Sequence, residues 1–321
     1  MESPIVDVLV PTAGSAVSLG ATLASLAGQR YPAFRVSALA PNSGPADEAH
    51  LGALAAVLAA RGHAVRLTDA DPGTPGARRQ ALLDLADAPF ALVVDDGVFL
   101  EPDLMGRLVA AIRSAGCGFV GSAVVDLRFR GEHRVEEQGI EFWDGPVRPE
   151  EIRPGTRGWD RRRLHRGANL EHLRERLPRT RDRLYRVADV PGCVLYDTAK
   201  LMGVGGFAFG RDRHRDAPQP MGAESAAQLR LIARHGGAGL FPSGAYRLAP
   251  TPPAGTRSPA AAAALSASPR PAAAGRPARR RTRHAVASHL ASLRVRARRR
   301  HAANHVTEGR PRRPDSRGVH P

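Results

Sequence analysis

The sequence predicts an α/β fold with a mostly parallel, doubly wound sheet, followed by a long tail that lacks core-forming composition. Three observations predict it. Short β-branched runs alternate with helical segments through the first third of the chain. One such run, Phe90–Val94, ends in adjacent carboxylates, Asp95 and Asp96, and then Gly97, as a strand entering a polar loop does. From about Thr251 the composition collapses into Ala, Pro, Arg and Ser, and aromatic residues vanish.

The bulk numbers bound the organisation. The chain has 321 residues, of which 42% are hydrophobic, enough for one large α/β domain plus a tail or for two small domains. We place the domain at 1–250 and the tail at 251–321. The net charge is +16 and the pI is about 11.3, carried almost wholly by arginine. The tail supplies roughly a dozen or more of those charges, so the folded part is far closer to neutral. Cys117 and Cys193 can form one disulfide at most; their apolar surroundings favour buried thiols in a reducing compartment. The chain begins directly in a strand, without a signal-peptide pattern, and no apolar run approaches the ~20 residues of a membrane span. The expected location is the cytoplasm, with a peripheral position at the inner face of the membrane open to it.

In order, residues 5–10 form a first strand, with Pro11-Thr12-Ala13-Gly14 as the loop at its carboxyl end. A helix follows with Leu19, Leu23 and Leu26 on one face, ended by Tyr31-Pro32. Phe34–Ala40 is a second strand running into Pro41-Asn42-Ser43-Gly44. Residues 46–61 have helical periodicity and stop at Gly62. Residues 64–67 make a third strand, and the helix at 77–86 opens on Arg78-Arg79-Gln80. After the strand Phe90–Val94, Pro102 is placed to start a helix, predicted over 104–114. Residues 117–127 read as one further strand.

Residues 128–186 break the alternation. They are highly charged, hold Trp143 and Trp159, and read as an insertion packed over the sheet edge, with a helical piece at 165–177. Strand character returns at 187–196. The segment 201–207, with Gly203, Gly205 and Gly206, reads as turns; those glycines open no strand–turn–helix unit, so they make no dinucleotide fingerprint. An amphipathic helix at 221–234 and a short strand at 239–242 close the domain.

Two adjacent carboxylates at a strand end are costly to bury without a cation or hydrogen-bond donors. Asp95 and Asp96 therefore suit a divalent cation carrying a diphosphate, or else a polar turn in which one of them caps the next helix. Arg78 and Arg79 oppose the dipole at a helix N-terminus, which hints at an anionic partner. Glu224 is favoured at its own helix start by the same dipole. His133, His165, His172, His214 and His235 lack metal-ligand spacing. The tail suits anionic lipid headgroups or simple solvation; without interleaved aromatics, nucleic acid is an unlikely partner.

Several segments together resemble family 2 glycosyltransferases: Val8-Leu9-Val10-Pro11-Thr12, Thr22–Leu26, Gln29-Arg30-Tyr31-Pro32, Val93–Asp96 with Glu101-Pro102-Asp103, Gly192–Asp197, Gly205-Gly206-Phe207, and Gly222-Ala223-Glu224 before Gln228-Leu229. The match spans about residues 5–248 in order, and Trp143–Pro146 and Gly236–Gly239 look like an actinobacterial-type branch. The resemblance implies a GT-A fold and inverting transfer of a sugar from a nucleoside diphosphate to an unknown glycan, lipid-linked or small-molecule acceptor. It implies that Pro11, Thr12 and Asn42 flank the nucleobase and ribose, and that Arg79 faces the donor. Asp95 and Asp96 match the first two positions of a three-aspartate motif, with Asp96 at the metal. Glu224 becomes the general base, and Trp143, Gly192 and Cys193 lie on the acceptor side.

The chemistry is consistent with those assignments. In-line displacement at an anomeric carbon needs a carboxylate to take the acceptor proton and a cation to hold the departing diphosphate. Magnesium or manganese suits carboxylate and phosphate oxygens. Three positions depart from the pattern: Gly97 replaces the third aspartate, Pro41 an aspartate that contacts the base, and Ala223 the first member of an acidic pair. They motivate a second expectation, a GT-A domain that binds nucleotide or glycan without turnover. A third is a protein that acts through its basic tail.

Overall fold

The computed structural model describes residues 3–12, 15–41, 44–69, 73–127, 133, 140–163, 168–176, 181–208 and 222–248. Asn42, His165, His214 and the tail at 251–321 lie outside the described residues. In chain order the elements are β1 (Val6–Val10), α1 (Ala16–Ala27), β2 (Phe34–Ala40), α2 (Pro45–Ala60), β3 (Val65–Asp69), α3 (Pro75–Leu83), β4 (Phe90–Val94), β5 (Val98–Leu100), α4 (Leu104–Ala115), β6 (Phe119–Gly121), β7 (Val125–Asp126), α5 (Ala168–Arg176), β8 (Arg183–Tyr185), β9 (Cys193–Asp197), α6 (Thr198–Gly203), α7 (Ala223–His235), β10 (Ala238–Phe241) and β11 (Ala245–Arg247).

The expected α/β class and mostly parallel sheet are what the chain forms. Eight strands run in the order β3-β2-β1-β4-β9-β6-β10-β8. β1 sits centrally, with Val8 opposite Val36 on one side and Leu92 on the other, both pairings parallel. β9 is antiparallel to β4 and to β6, and β8 is antiparallel to β10. Alternate residues of each strand feed two cores. Val6, Val8, Val10, Leu92 and Val94 meet α1, α2 and α4 on one face, whereas Leu9, Ala91 and Val93 meet α3, α6 and α7 on the other. This is why the strands read as continuous apolar runs: both faces are covered.

Five expectations from sequence are corrected. The single strand at 117–127 is two short ones, β6 and β7, because the second leaves the main sheet for a three-stranded one, β5-β11-β7. Residues 187–192 are not strand; β9 begins only at Cys193. The segment at 201–207 is turn only from 204; residues 201–203 complete a helix, α6, capped by Asp197, whose side chain accepts the Lys200 N–H. The insertion does more than cover the edge. It contributes β8 to the sheet, with Leu184 opposite Leu240. α3 begins two residues earlier than its apolar pattern, since the Thr74 hydroxyl caps it by accepting from the Ala77 N–H. Both cysteines are free and buried, and burial pushes the Cys117 thiol up to about 11. Among the described residues no helix is long and apolar enough to cross a membrane.

Candidate active site

The chain turns sharply after β4. Pairing of Val94 with Cys193 sets Gly192 beside Asp95, whose N–H donates to the Gly192 carbonyl at 2.9 Å. Neither Asp95 nor Asp96 caps a helix. The chain enters β5 instead, and α4 is preceded by Asp103. Gly192 has φ +88°, a left-handed conformation that favours glycine. A Cβ there would stand 2.9 Å from Val124 Cγ2 and 3.4 Å from Asp95 Oδ2. The site is thus open where a side chain would cover the carboxylate.

Two helices aim their N-termini at this turn. α3 brings Arg79 and α7 brings Glu224 in its first turn. They approach closely because the facing residues are small: a Cβ on Gly76 would lie 2.7 Å from Ala223 Cβ. That contact gives a packing reason for alanine at 223, where the resemblance led to an acidic residue. Arg79 Nη2 donates to Asp95 Oδ1 at 2.6 Å and lies 3.3 Å from Glu224 Oε2. The side chains of Arg79 and Glu224 are only 14% and 11% exposed, so the bridge is shielded from water. A second guanidinium, Arg247 Nη2 on β11, stands 3.6 Å from Asp95 Oδ2.

α7 is latched in place from below. The buried Gln228 side chain accepts the Val190 N–H at 2.7 Å and donates to the Val190 carbonyl and to the Tyr196 hydroxyl, each at 2.9 Å. The Tyr196 hydroxyl in turn makes a long contact of 3.4 Å with Glu224 Oε1. The Ser225 hydroxyl donates to Asp189 Oδ2 at 2.6 Å. Burial is the main cause that pushes the Glu224 carboxyl up to about 7, against the pull of Arg79; the Asp95 and Asp189 carboxylates add to the rise, and the Tyr196 hydroxyl opposes it. A carboxylate poised there can exchange a proton near neutrality. Beside it, a cavity of about 820 Å³ is lined by Thr74, Gly76, Gln80, Phe207 and Ala223, among others.

Solved structures similar to this chain are glycosyltransferases. S. aureus TarS aligns at 13% identity and TM-score 0.49 over 77% of this chain and 37% of that one. TarS 1–349 in complex with UDP-GlcNAc aligns at 14% and 0.45 over 78% and 59%. The mannosyltransferase PcManGT from Pyrobaculum calidifontis, in complex with GDP-Man and Mn2+, aligns at 16% and 0.47 over 79% and 59%. The chain therefore spans less than two thirds of the length of each. No protein-family model matches the sequence, and no curated protein does.

Of the residues singled out from sequence, Asp95, Arg79, Glu224 and Gly192 come together. Asp96 lies half-buried in the same turn. Pro11 and Thr12 are buried at the end of β1, where the Thr12 carbonyl accepts from Arg78 Nη1 at 3.4 Å and the buried Thr12 hydroxyl has no hydrogen-bond partner among the described residues. The Cys193 side chain packs in the core; burial raises its thiol pKa, and the Asp95 and Glu224 carboxylates add to the rise. Trp143 is not brought to the cluster. It hydrogen-bonds to Leu184 on β8, four strands and about 19 Å across the sheet from β4, and Arg186 stacks on its ring. Sequence reasoning missed Arg247, Tyr196 as a partner of Glu224, and the Gln228 latch. Tyr196 and Gln228 stand in the quoted segments without a role, and Arg247 carries no motif at all.

The residues present match the expected magnesium or manganese ion only in part: Asp96 stands partly exposed in the turn as a candidate ligand. Such an ion can be held by one or two carboxylates and complete its shell with substrate phosphates. Among the described residues no three His, Cys, Asp or Glu side chains gather to hold a metal. Gly97 offers no ligand, and the two oxygens of Asp95 face two different guanidinium groups.

Proposed function

We propose that this chain is an inverting glycosyltransferase of the family 2 type, moving a sugar from a nucleoside diphosphate to an acceptor hydroxyl with Glu224 as general base. The observation that carries this reading is the Arg79 bridge. It holds a strand-end carboxylate, Asp95, and a buried glutamate titrating near neutrality against one guanidinium nitrogen, Arg79 Nη2. In the reaction the acceptor oxygen attacks the anomeric carbon and forms the new C–O bond. The bond to the diphosphate breaks, and its electron pair leaves on the phosphate oxygen. The acceptor proton passes to a Glu224 carboxylate oxygen. Arg79 keeps that carboxyl lower than burial alone would place it, so a useful fraction is ionised at neutral pH.

The test is a thermal-shift screen of nucleotide sugars followed by a turnover assay. A donor at about a hundredfold excess over its Kd is expected to raise the Tm by roughly 5–10 °C, and the same compound should then be hydrolysed or transferred. No shift from any uridine, guanosine, adenosine, cytidine or thymidine diphosphate sugar would count against the reading. A second reading, binding without turnover, draws on the partly matched cation site and on Ala223. It predicts the shift without the turnover.

A further inference from the structure

We infer that Arg247, backed by the charge of Arg79, holds the donor diphosphate in place of a divalent cation, so that donor binding is metal-independent. This rests on the glycosyl-transfer reading above. The placement of Arg247 follows from the small sheet. β11 runs antiparallel to β5, with Arg247 opposite Val98, and parallel to β7, with Arg247 opposite Asp126. That register delivers a guanidinium from the far end of the domain to the turn after β4. Its side chain is 41% exposed, so the guanidinium can be reached from solvent.

Gly192 completes the geometry. A Cβ there would come within 3.5 Å of Arg247 Nη2 as well as 3.4 Å of Asp95 Oδ2, and its φ of +88° resists any side chain. The missing side chain leaves Asp95 and Arg247 reachable from solvent side by side. Asp95 lies between two guanidinium groups, 2.6 Å from Arg79 and 3.6 Å from Arg247. A magnesium or manganese ion brought to Asp95 would displace one of these cations and stand against the other. The favourable arrangement leaves both in place, with the Asp95 carboxylate drawing the Arg247 guanidinium to the turn.

A planar guanidinium binds phosphate oxygens through parallel N–H donors and stays charged at any working pH. As the anomeric bond breaks, negative charge grows on the leaving diphosphate, and a pre-oriented fork stabilises it without moving. This is the service a divalent cation gives elsewhere. Arg79, largely buried, orders the two carboxylates and contributes its charge. Arg247, at the surface, makes the phosphate contact.

The experiment is calorimetric titration of the full chain with UDP, GDP, ADP, CDP and dTDP, in EDTA and again in manganese chloride, for the native protein and for Arg247→Gln. The nucleotide that binds is expected to bind in EDTA within about threefold of its affinity in manganese, and Arg247→Gln is expected to lose about tenfold or more in both media. The substitution leaves the arginine-rich tail intact, so this loss separates the site from non-specific attraction to the tail. Melting curves establish that the variant is folded. If it is not, Arg247→Lys, which keeps the charge but not the fork, takes its place with an expected loss of about threefold or more. Binding that needs manganese by tenfold or more, or that ignores both substitutions, overturns the inference and leaves glycosyl transfer standing. No binding of any nucleotide in either medium overturns both.

Discussion

Glu224→Gln is expected to slow sugar transfer by roughly a hundredfold to ten-thousandfold while nucleotide binding changes by less than about threefold. Glutamine keeps the size and the hydrogen-bonding reach of the carboxyl but cannot accept the acceptor proton. The packing argues that the substitution is tolerated. Glu224 lies in the first turn of α7, the helix is held independently through Gln228 and Ser225, and Arg79 retains Asp95 as a partner. Initial rates beside a nucleotide titration measure the two effects separately. A variant that keeps a tenth or more of the native rate would remove Glu224 from the chemistry.

Arg79→Met is expected to reduce both activity and stability. The native side chain is 14% exposed and serves two acidic partners. Methionine fills much of the volume and leaves two carboxylates facing each other without that cation. Breaking a buried ion pair from one side costs about 3 kcal/mol or more, read as a lower urea midpoint at neutral pH. Loss of Arg79 removes the influence that lowers the Glu224 carboxyl, so this group protonates at still higher pH. Above neutrality the folded variant then holds a proton that the native protein, with its midpoint near 7, has released. The stability deficit therefore shrinks as pH falls from about 8 to about 6, where both are protonated, and levels off below. Activity at neutral pH drops by about tenfold or more, because less of the base is ionised, and recovers in part as pH rises. A deficit that is constant across this range would mean that Arg79 and Glu224 are not coupled.

The sheet was legible because its physics is local. β4 is apolar on both faces, β1 and β2 are so apart from Asp7, Arg35 and Ser37, all three sit between helices with clear periodicity, and each comes within a residue of its expected position. The missed elements are short and depend on distant partners. β5 and β11, three residues each, exist because they pair with one another and with β7. Without β11 there was no way to place Arg247. Arg79, Asp95 and Glu224 were visible as motif positions, but not their meeting point. That depends on Gly76 and Ala223 being small enough for two helix starts to touch, a fact about packing rather than pattern. The place of Trp143 was hidden for the opposite reason. Its residue type suits a sugar platform, but the strand that anchors it, β8, joins the far edge of the sheet.

The pH dependence of kcat/KM for transfer tests the central claim most directly, because it reports the ionisation of the free enzyme's base. The account predicts an acidic limb with a midpoint near 7, absent from the residual rate of Glu224→Gln. A native profile that stays flat from pH 5 to 8, or a limb that persists unchanged in the variant, would contradict it.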